Sequence, residues 1–316
     1  MTVGISLPAG GEQGENLVTT LLDQARQAAD AGIGAVWFSQ RQDLDALSLA
    51  ALTGQAVPGV RIGTSVVPLY PRHPITLAAQ VRTAQAASGG RFQLGLGLSA
   101  KFFVEDSYGV PFERPIRHLR EYLEALGTLL HDGEIDFQGQ TLRARTAFGP
   151  AGVPGAPPAP VLIAAMGPQA LRVTAELADG VLPFLAAPKA LDDYLVPTLN
   201  SAAAEAGRRP PRVVAMLPAL VTTRTEELRA RALEDLTFYE RFPSYRDILD
   251  RGGVERAGDL FALGDEEAIA AEIRRYREAG ASEVIVTQTG FGTEEERLRT
   301  WRLLGELARQ EPGAGE

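Results

Sequence analysis

Short β-branched runs alternate with longer amphipathic stretches along this whole chain, and no other feature limits its fold so sharply. The runs fall at 3–7, 36–39, 61–67, 92–98, 161–164, 180–185, 213–221 and 283–287. The amphipathic stretches fall at 16–31, 44–56, 75–87, 117–130, 168–177, 190–206, 266–279 and 293–310. At each crossing the apolar period switches from near-continuous to 3.6 residues, the signature of βα units. In the first stretch Leu17, Leu21, Leu22, Ala25, Ala28 and Ala29 make one stripe, and Gly32 closes it as a helix-ending glycine does. Eight such units in 316 residues specify a single-domain α/β fold, a (β/α)8 TIM barrel, for which about 250 residues are typical. An open doubly wound sheet is the competing arrangement. It would place one phosphate-binding turn at its switch point, whereas here glycines mark several strand ends.

The expected domain therefore covers 1–312, followed by a disordered tail at 313–316. Residues 149–160, rich in proline and glycine, are read as part of the barrel because the rhythm resumes after them. Residues 225–263 form a helical insertion in the seventh unit, and Gly252, Gly253 and Gly258 give it the freedom of a lid. Composition removes whole classes of function. The chain is 45% apolar and 22% charged with a net charge of −9, which fits a folded protein and leaves no basic surface for nucleic acid beyond the loop of Lys101. It has no cysteine, so disulfides, thiolate metal sites and a catalytic thiol are excluded. Its three histidines, His73, His118 and His131, are not spaced for a metal, and none is expected. The N-terminus lacks a basic segment followed by an apolar one, and no apolar run reaches the ~18 residues of a membrane span. A cytoplasmic protein with no membrane partner is the expectation.

Three motifs carry chemistry. Gly95-Leu96-Gly97-Leu98-Ser99-Ala100 matches a dinucleotide fingerprint, but the aromatic and proline-containing segment after it reads as a loop. The alternative is that the glycines let a strand bend while a loop approaches a ligand. Ala165-Met166-Gly167-Pro168 opens the fifth helix, where free N–H groups offer either an anion site or an ordinary cap. His73 begins the third helix at the face where barrel enzymes build their sites, and is either a site residue or a turn histidine bound to backbone.

Several segments together resemble the luciferase-like flavin and deazaflavin oxidoreductases. They are Ala35-Val36-Trp37-Phe38-Ser39, Arg61-Ile62-Gly63-Thr64-Ser65-Val66-Val67-Pro68 with Arg72-His73-Pro74, Ser88 to Gly97, Ala165 to Pro168, and Ala178-Asp179-Gly180. Ser39-Gln40, the loop from Val67 to Pro74 and Phe242-Pro243-Ser244-Tyr245-Arg246 are similar to the branch that uses coenzyme F420, an 8-hydroxy-5-deazaflavin. The resemblance implies that Ser39, Gln40, Thr64, Ser65, Val66, Gly97, Leu98, Ser99, Ala165, Met166, Gly167 and Pro168 hold the cofactor. It also implies a non-prolyl cis peptide between Ser65 and Val66 in a bulge beneath the ring, and a homodimer.

In sugar-phosphate dehydrogenases of this family the second strand ends Ser-Asp-His and the fourth carries a glutamate, whereas this chain has Ser39-Gln40-Arg41 and Leu98. That histidine–glutamate pair is missing, which disfavours alcohol oxidation. Ser39, Gln40, Arg41 and His73 remain the catalytic candidates. The expected activity is reduction of an activated C=C or C=N bond in a small hydrophobic substrate by reduced F420. The alternatives are an FMN-dependent two-component monooxygenase and a catalytically silent deazaflavin-binding barrel. Phe102, Phe103, Phe238, Tyr239, Phe242 and Tyr245 either overhang the substrate or pack the insertion onto the barrel. Arg41 and Lys101 are either charge partners of the cofactor tail or solvated surface.

Overall fold

The computed structural model describes residues 2–8 and 16–310; the expected tail at 313–316 lies outside them. In chain order the elements are β1 (Thr2–Ser6), α1 (Leu17–Asp30), β2 (Ala35–Phe38), α2 (Ala46–Ala56), β3 (Arg61–Thr64), β4 (Val67–Pro68), α3 (Pro74–Ala87), β5 (Phe92–Gly97) and α4 (Pro115–Asp132). Then follow β6 (Asp136–Gln138), β7 (Arg143–Arg145), β8 (Val161–Ala164), α5 (Pro168–Leu177), β9 (Gly180–Val181), α6 (Pro188–Ala190) and α7 (Val196–Glu205). The last part holds β10 (Arg212–Val221), α8 (Thr225–Asp235), α9 (Thr237–Glu240), α10 (Pro243–Gly252), β11 (Ala262–Gly264), α11 (Glu266–Glu278), β12 (Glu283–Thr287) and α12 (Glu294–Arg309).

Eight parallel strands close a ring in the order β1, β2, β3, β5, β8, β9, β10 and β12, with β12 pairing back to β1. Local chemistry starts the helices where the sequence requires. Asn16, Asp45, Asp265 and Thr293 cap α1, α2, α11 and α12 through their side chains, and prolines open α3, α4 and α5.

Inside the ring, Ala35, Trp37, Leu162, Leu182, Val214, Met216 and Ile285 form one core. Trp37 is completely buried there. It fits because the adjacent strand offers Gly63, where a Cβ would sit 2.3 Å from the indole. Between strands and helices runs a larger apolar layer, and a third cluster lies under the insertion, where Leu228, Ala232, Leu249 and Phe261 pack on Leu185 and Leu220.

The structure departs from the sequence reading in four places. The segment after β5 is not wholly irregular, because it coils into a π-helical turn at Phe103–Ser107. The region before residue 149 holds an antiparallel hairpin, β6 with β7. The sixth barrel strand is only Gly180–Val181, extended by one bridge from Phe184 to Met216. Finally, two of the insertion glycines are close-packed and the third ends a helix. Gly258 lets the chain pass 2.6 Å from where its Cβ would meet the Leu233 backbone, Gly252 packs on Ala187, and Gly253 ends α10 at φ +68°.

Candidate active site

The eight parallel strands bring their C-terminal ends together at one face, the mouth of the barrel, and strand three shapes one wall of it. Ile62 and Gly63 of β3 pair with Phe92 and Gln93, but pairing resumes only at Val67 with Leu96. Four steps on one strand thus match three on the other, which is a β-bulge. Thr64 accounts for it: its hydroxyl donates to the Gly95 carbonyl at 3.0 Å and accepts the Gly95 N–H at 2.9 Å, replacing the ladder. Ser65 N–H donates to the Phe38 carbonyl at 2.8 Å, and the Ser39 hydroxyl donates to the Ser65 carbonyl at 3.0 Å. The Ser65–Val66 peptide is cis, as the resemblance implies.

Glycine makes room for this bulge. A Cβ on Gly95 would lie 1.8 Å from the Thr64 carbonyl oxygen, and one on Gly97 would lie 2.8 Å from Val66 Cγ2. Of the two readings of the Gly95–Ala100 motif, close approach of a loop is the one the geometry supports. Gly97 also pairs with Ala164, an exposed residue at the end of an otherwise buried strand, so the floor between them is open. Leu98 packs partly on the core, and Ser99 turns the chain outward with φ +64°.

Beside this floor begins α5. Gly167 is its N-cap, no side chain caps the first turn, and the space where a Gly167 Cβ would project is empty. Ala165 is buried, while the Met166 carbonyl accepts the Tyr194 hydroxyl at 3.0 Å. Main-chain donors at a helix start without a side-chain cap fit a phosphate or carboxylate. A planar ring on the bulge with its anionic arm over Gly167 matches the residues present.

The polar candidates are otherwise engaged. Gln40 donates to the Arg41 and Leu44 carbonyls at 2.7 and 3.2 Å, and its oxygen accepts from Ala46 N–H and Arg72. Arg41 holds Asp43 through two bonds. Arg72 also pairs with Asp45 at 2.7 Å; burial would raise the Asp45 carboxyl, but bonds from Ser48 and Arg72 hold it below the ordinary range. His73 accepts the Ile75 N–H at Nδ1, which leaves Nε2 as the donor to the Arg143 carbonyl at 2.8 Å. It is the cap of α3. Lys101 is exposed and reaches Glu105 at 3.8 Å.

Across the mouth stands an aromatic wall. Phe102, five residues after β5 ends, stacks on Phe242 of the insertion with centroids 5.8 Å apart and planes 7° apart, and meets Phe238 edge-on at 6.4 Å. Strands β5 and β10 lie three places apart in the ring, so this contact arches over the rim. Phe184 packs against both the interior core and the cluster beneath the insertion. The sequence reading omitted Phe184, yet its place just past a barrel strand was a usable signal.

Residues 1–283 match the family described as luciferase-like monooxygenase. The chain belongs to that family. It is 32% identical over 178 residues to a Mycobacterium tuberculosis protein provisionally named coenzyme F420-dependent oxidoreductase Rv3520c, covering 53% of this chain and 51% of that one. It is 29% identical over 169 residues to the 5,10-methylenetetrahydromethanopterin reductase of Archaeoglobus fulgidus, covering 51% of this chain and 48% of that one. The matched region thus spans about half the length of these two relatives. Among solved structures, the coenzyme F420-dependent tetrahydromethanopterin reductase of Methanopyrus kandleri shares the fold with a TM-score of 0.81, at 22% identity over 96% of this chain and 97% of that one. Among the described residues no helix is long and apolar enough to cross a membrane.

Proposed function

We propose that this protein is a cytoplasmic F420-dependent reductase that transfers hydride from the reduced deazaflavin to an activated C=C or C=N bond of a small hydrophobic substrate. The observation that carries this reading is that Gln40, Arg41 and His73 are all spent on loops and caps. A hydroxyl-oxidising site would want a free base at the end of strand two, and hydride addition to a polarised double bond does not. Ser39, Thr64, Ser65 and Val66 would support the ring, Gly97, Leu98 and Ser99 its edge, and Ala165 to Pro168 its phosphate. When bound, the deazaflavin supplies two electrons as hydride. The protein's residues orient it and shield it from water.

The insertion would cover the substrate, with the arch of Phe102, Phe238 and Phe242 as its apolar roof. The reading includes a homodimer, since exposed Leu52 and Phe148 offer apolar surface that a second copy would cover. Sedimentation tests that part. The main test is titration of the purified protein with F420 and with FMN, followed by enones, imines and quinones with reduced F420. Saturable F420 binding and loss of reduced-cofactor absorbance with an acceptor are expected. Tight FMN binding with oxygen-dependent turnover would replace this reading by the two-component monooxygenase, and F420 binding without turnover by the silent barrel.

A further inference from the structure

We propose that the Tyr245 hydroxyl anchors a substrate carbonyl beneath the aromatic arch and delivers the proton that completes its reduction; this rests on the reductase reading above. Tyr239 and Tyr245 pack ring to ring at 5.0 Å, and both lie edge-on to Phe184, at 5.2 and 6.4 Å. Phe184 touches the interior core, and so does Val66 of the bulge. Through Phe184 the two tyrosines are thus joined to the interior core that Val66 also touches.

Tyr245 occupies the inward face of α10, three residues before Ile248 and one turn before Leu249, both fully buried. Tyr122 donates to the Arg72 carbonyl, Tyr194 donates to that of Met166, and the Tyr70 hydroxyl is sealed inside, whereas Tyr239 shares with Tyr245 a hydroxyl without a partner among the described residues. The Tyr245 hydroxyl has no hydrogen-bond partner among the described residues, and it is not sealed. Burial, and then the neighbouring Tyr239, push this phenol up from its ordinary value, so it stays a donor across the physiological range. A polar group in an apolar wall with no partner of its own is suited to a ligand's acceptor.

The balance is simple. Hydride adds to the β-carbon of an enone, and the C=C electron pair moves onto the carbonyl oxygen as an enolate. The phenol O–H, already bonded to that oxygen, breaks, and its proton goes to the enolate. Water then reprotonates the phenolate, and the enol relaxes to the saturated ketone. The substrate gains one hydride and one proton, and the reduced deazaflavin is oxidised.

The test uses the whole protein, cyclohex-2-enone carrying ¹³C at its carbonyl, and isotope-edited infrared difference spectra, with and without oxidised F420. The wild type should move the carbonyl stretch to lower wavenumber, and Tyr245→Phe should abolish the shift. The same variant should lower kcat for enone reduction about 100-fold, the scale of a lost general acid, with F420 affinity within about twofold of wild type. Tyr245→Phe removes one oxygen atom, and its thermal unfolding reports whether the fold is kept. A wild type without the shift, a Tyr245→Phe protein that retains it, or a Tyr239→Phe protein that loses it would each overturn the assignment. Enone reduction by F420 that is unchanged in Tyr245→Phe would sink the tyrosine and leave the reductase standing. A carbonyl shift in a protein that does not bind F420 would do the reverse.

Discussion

The two walls of the barrel mouth are built from different materials. On the bulge side, position is set by main chain: Thr64 locks onto Gly95, Ser65 is held from both sides by strand two, and the two glycines leave no volume to move into. On the insertion side, position is set by rings that touch mainly one another, and Phe102 and Phe238 are each 41% exposed. A surface made by backbone keeps its shape when side chains change. A surface made by exposed side chains can be altered one residue at a time at little cost to the fold. The first suits a fixed cofactor, and the second suits a substrate that varies.

The contrast breaks most severely at Gly95. Gly95→Ala would force a Cβ against the Thr64 carbonyl and Leu182, and overpacking against backbone should cost about 3 kcal/mol or more. We expect a large fall in Tm, or insoluble protein, together with loss of cofactor binding. A soluble variant with wild-type Tm would mean that the bulge is not rigid.

The root of the insertion is next. Glu296 accepts from Thr222 and Arg224 and caps its own helix with Thr293; the Arg224 bond is the largest of the influences that hold its carboxyl at about 2. Because the folded-state value lies below the ordinary 4.5, this contribution is fully present above that pH and is lost as pH falls toward 2. Glu296→Gln should destabilise by about 2 kcal/mol at pH 7. Urea unfolding at a series of pH values should show the gap from wild type closing between about pH 4.5 and 2; a gap constant with pH would remove the carboxylate from this role.

Gly167→Glu sharpens the comparison, because its Cβ would enter open space. Tm should stay within about 1 °C, while a carboxylate at the start of α5 should weaken F420 binding about tenfold, or about 1.4 kcal/mol. Unchanged affinity would move the anionic arm elsewhere. The smallest effect belongs to the arch. Phe102→Ala removes one stacked partner worth about 1 kcal/mol. It should raise the substrate KM several-fold without altering cofactor affinity, and an equal loss of both would mean that the two walls are not separable.

Much of the scaffold was legible in the sequence because barrel units are local. Period and caps located all eight strands and the helices between them, and the run Gly63 to Pro68 marked the bulge by resemblance. What escaped depends on distant partners. The hairpin of β6 and β7 has strands of three residues without useful alternation; it is held by the buried Glu121 carboxylate, which accepts the N–H groups of Gln140 and Thr141. For His73 the sequence left a site residue and a backbone-bound turn histidine both open, because the carbonyl its Nε2 meets belongs to Arg143, 70 residues away. Gln40 and Arg41 stand beside the right strand, yet Gln40 is bonded to the Arg41 and Leu44 carbonyls, Ala46 N–H and Arg72, and Arg41 holds Asp43. Tyr245 was visible only as one aromatic among several, since an unpartnered hydroxyl is a property of three dimensions.

Strand β10 outgrows the barrel. Its first residues pair with β9 and β12, but its last three, Ala219 to Val221, pair with Ala262 to Gly264 of β11, and Thr222 N–H donates to the Gly264 carbonyl at 2.8 Å. The chain thus leaves and re-enters the fold at adjacent points, and the excursion between them packs around an apolar cluster of its own. Such a junction is a natural graft site. Because loop-closure cost grows only logarithmically with length, by about 0.6 kcal/mol per doubling, segments of quite different size could be spliced between Val221 and Ala262 while the ring beneath stays as it is. Under the proposed function, exchange of this one cassette would vary the roof over the barrel mouth while the strands beneath stay constant.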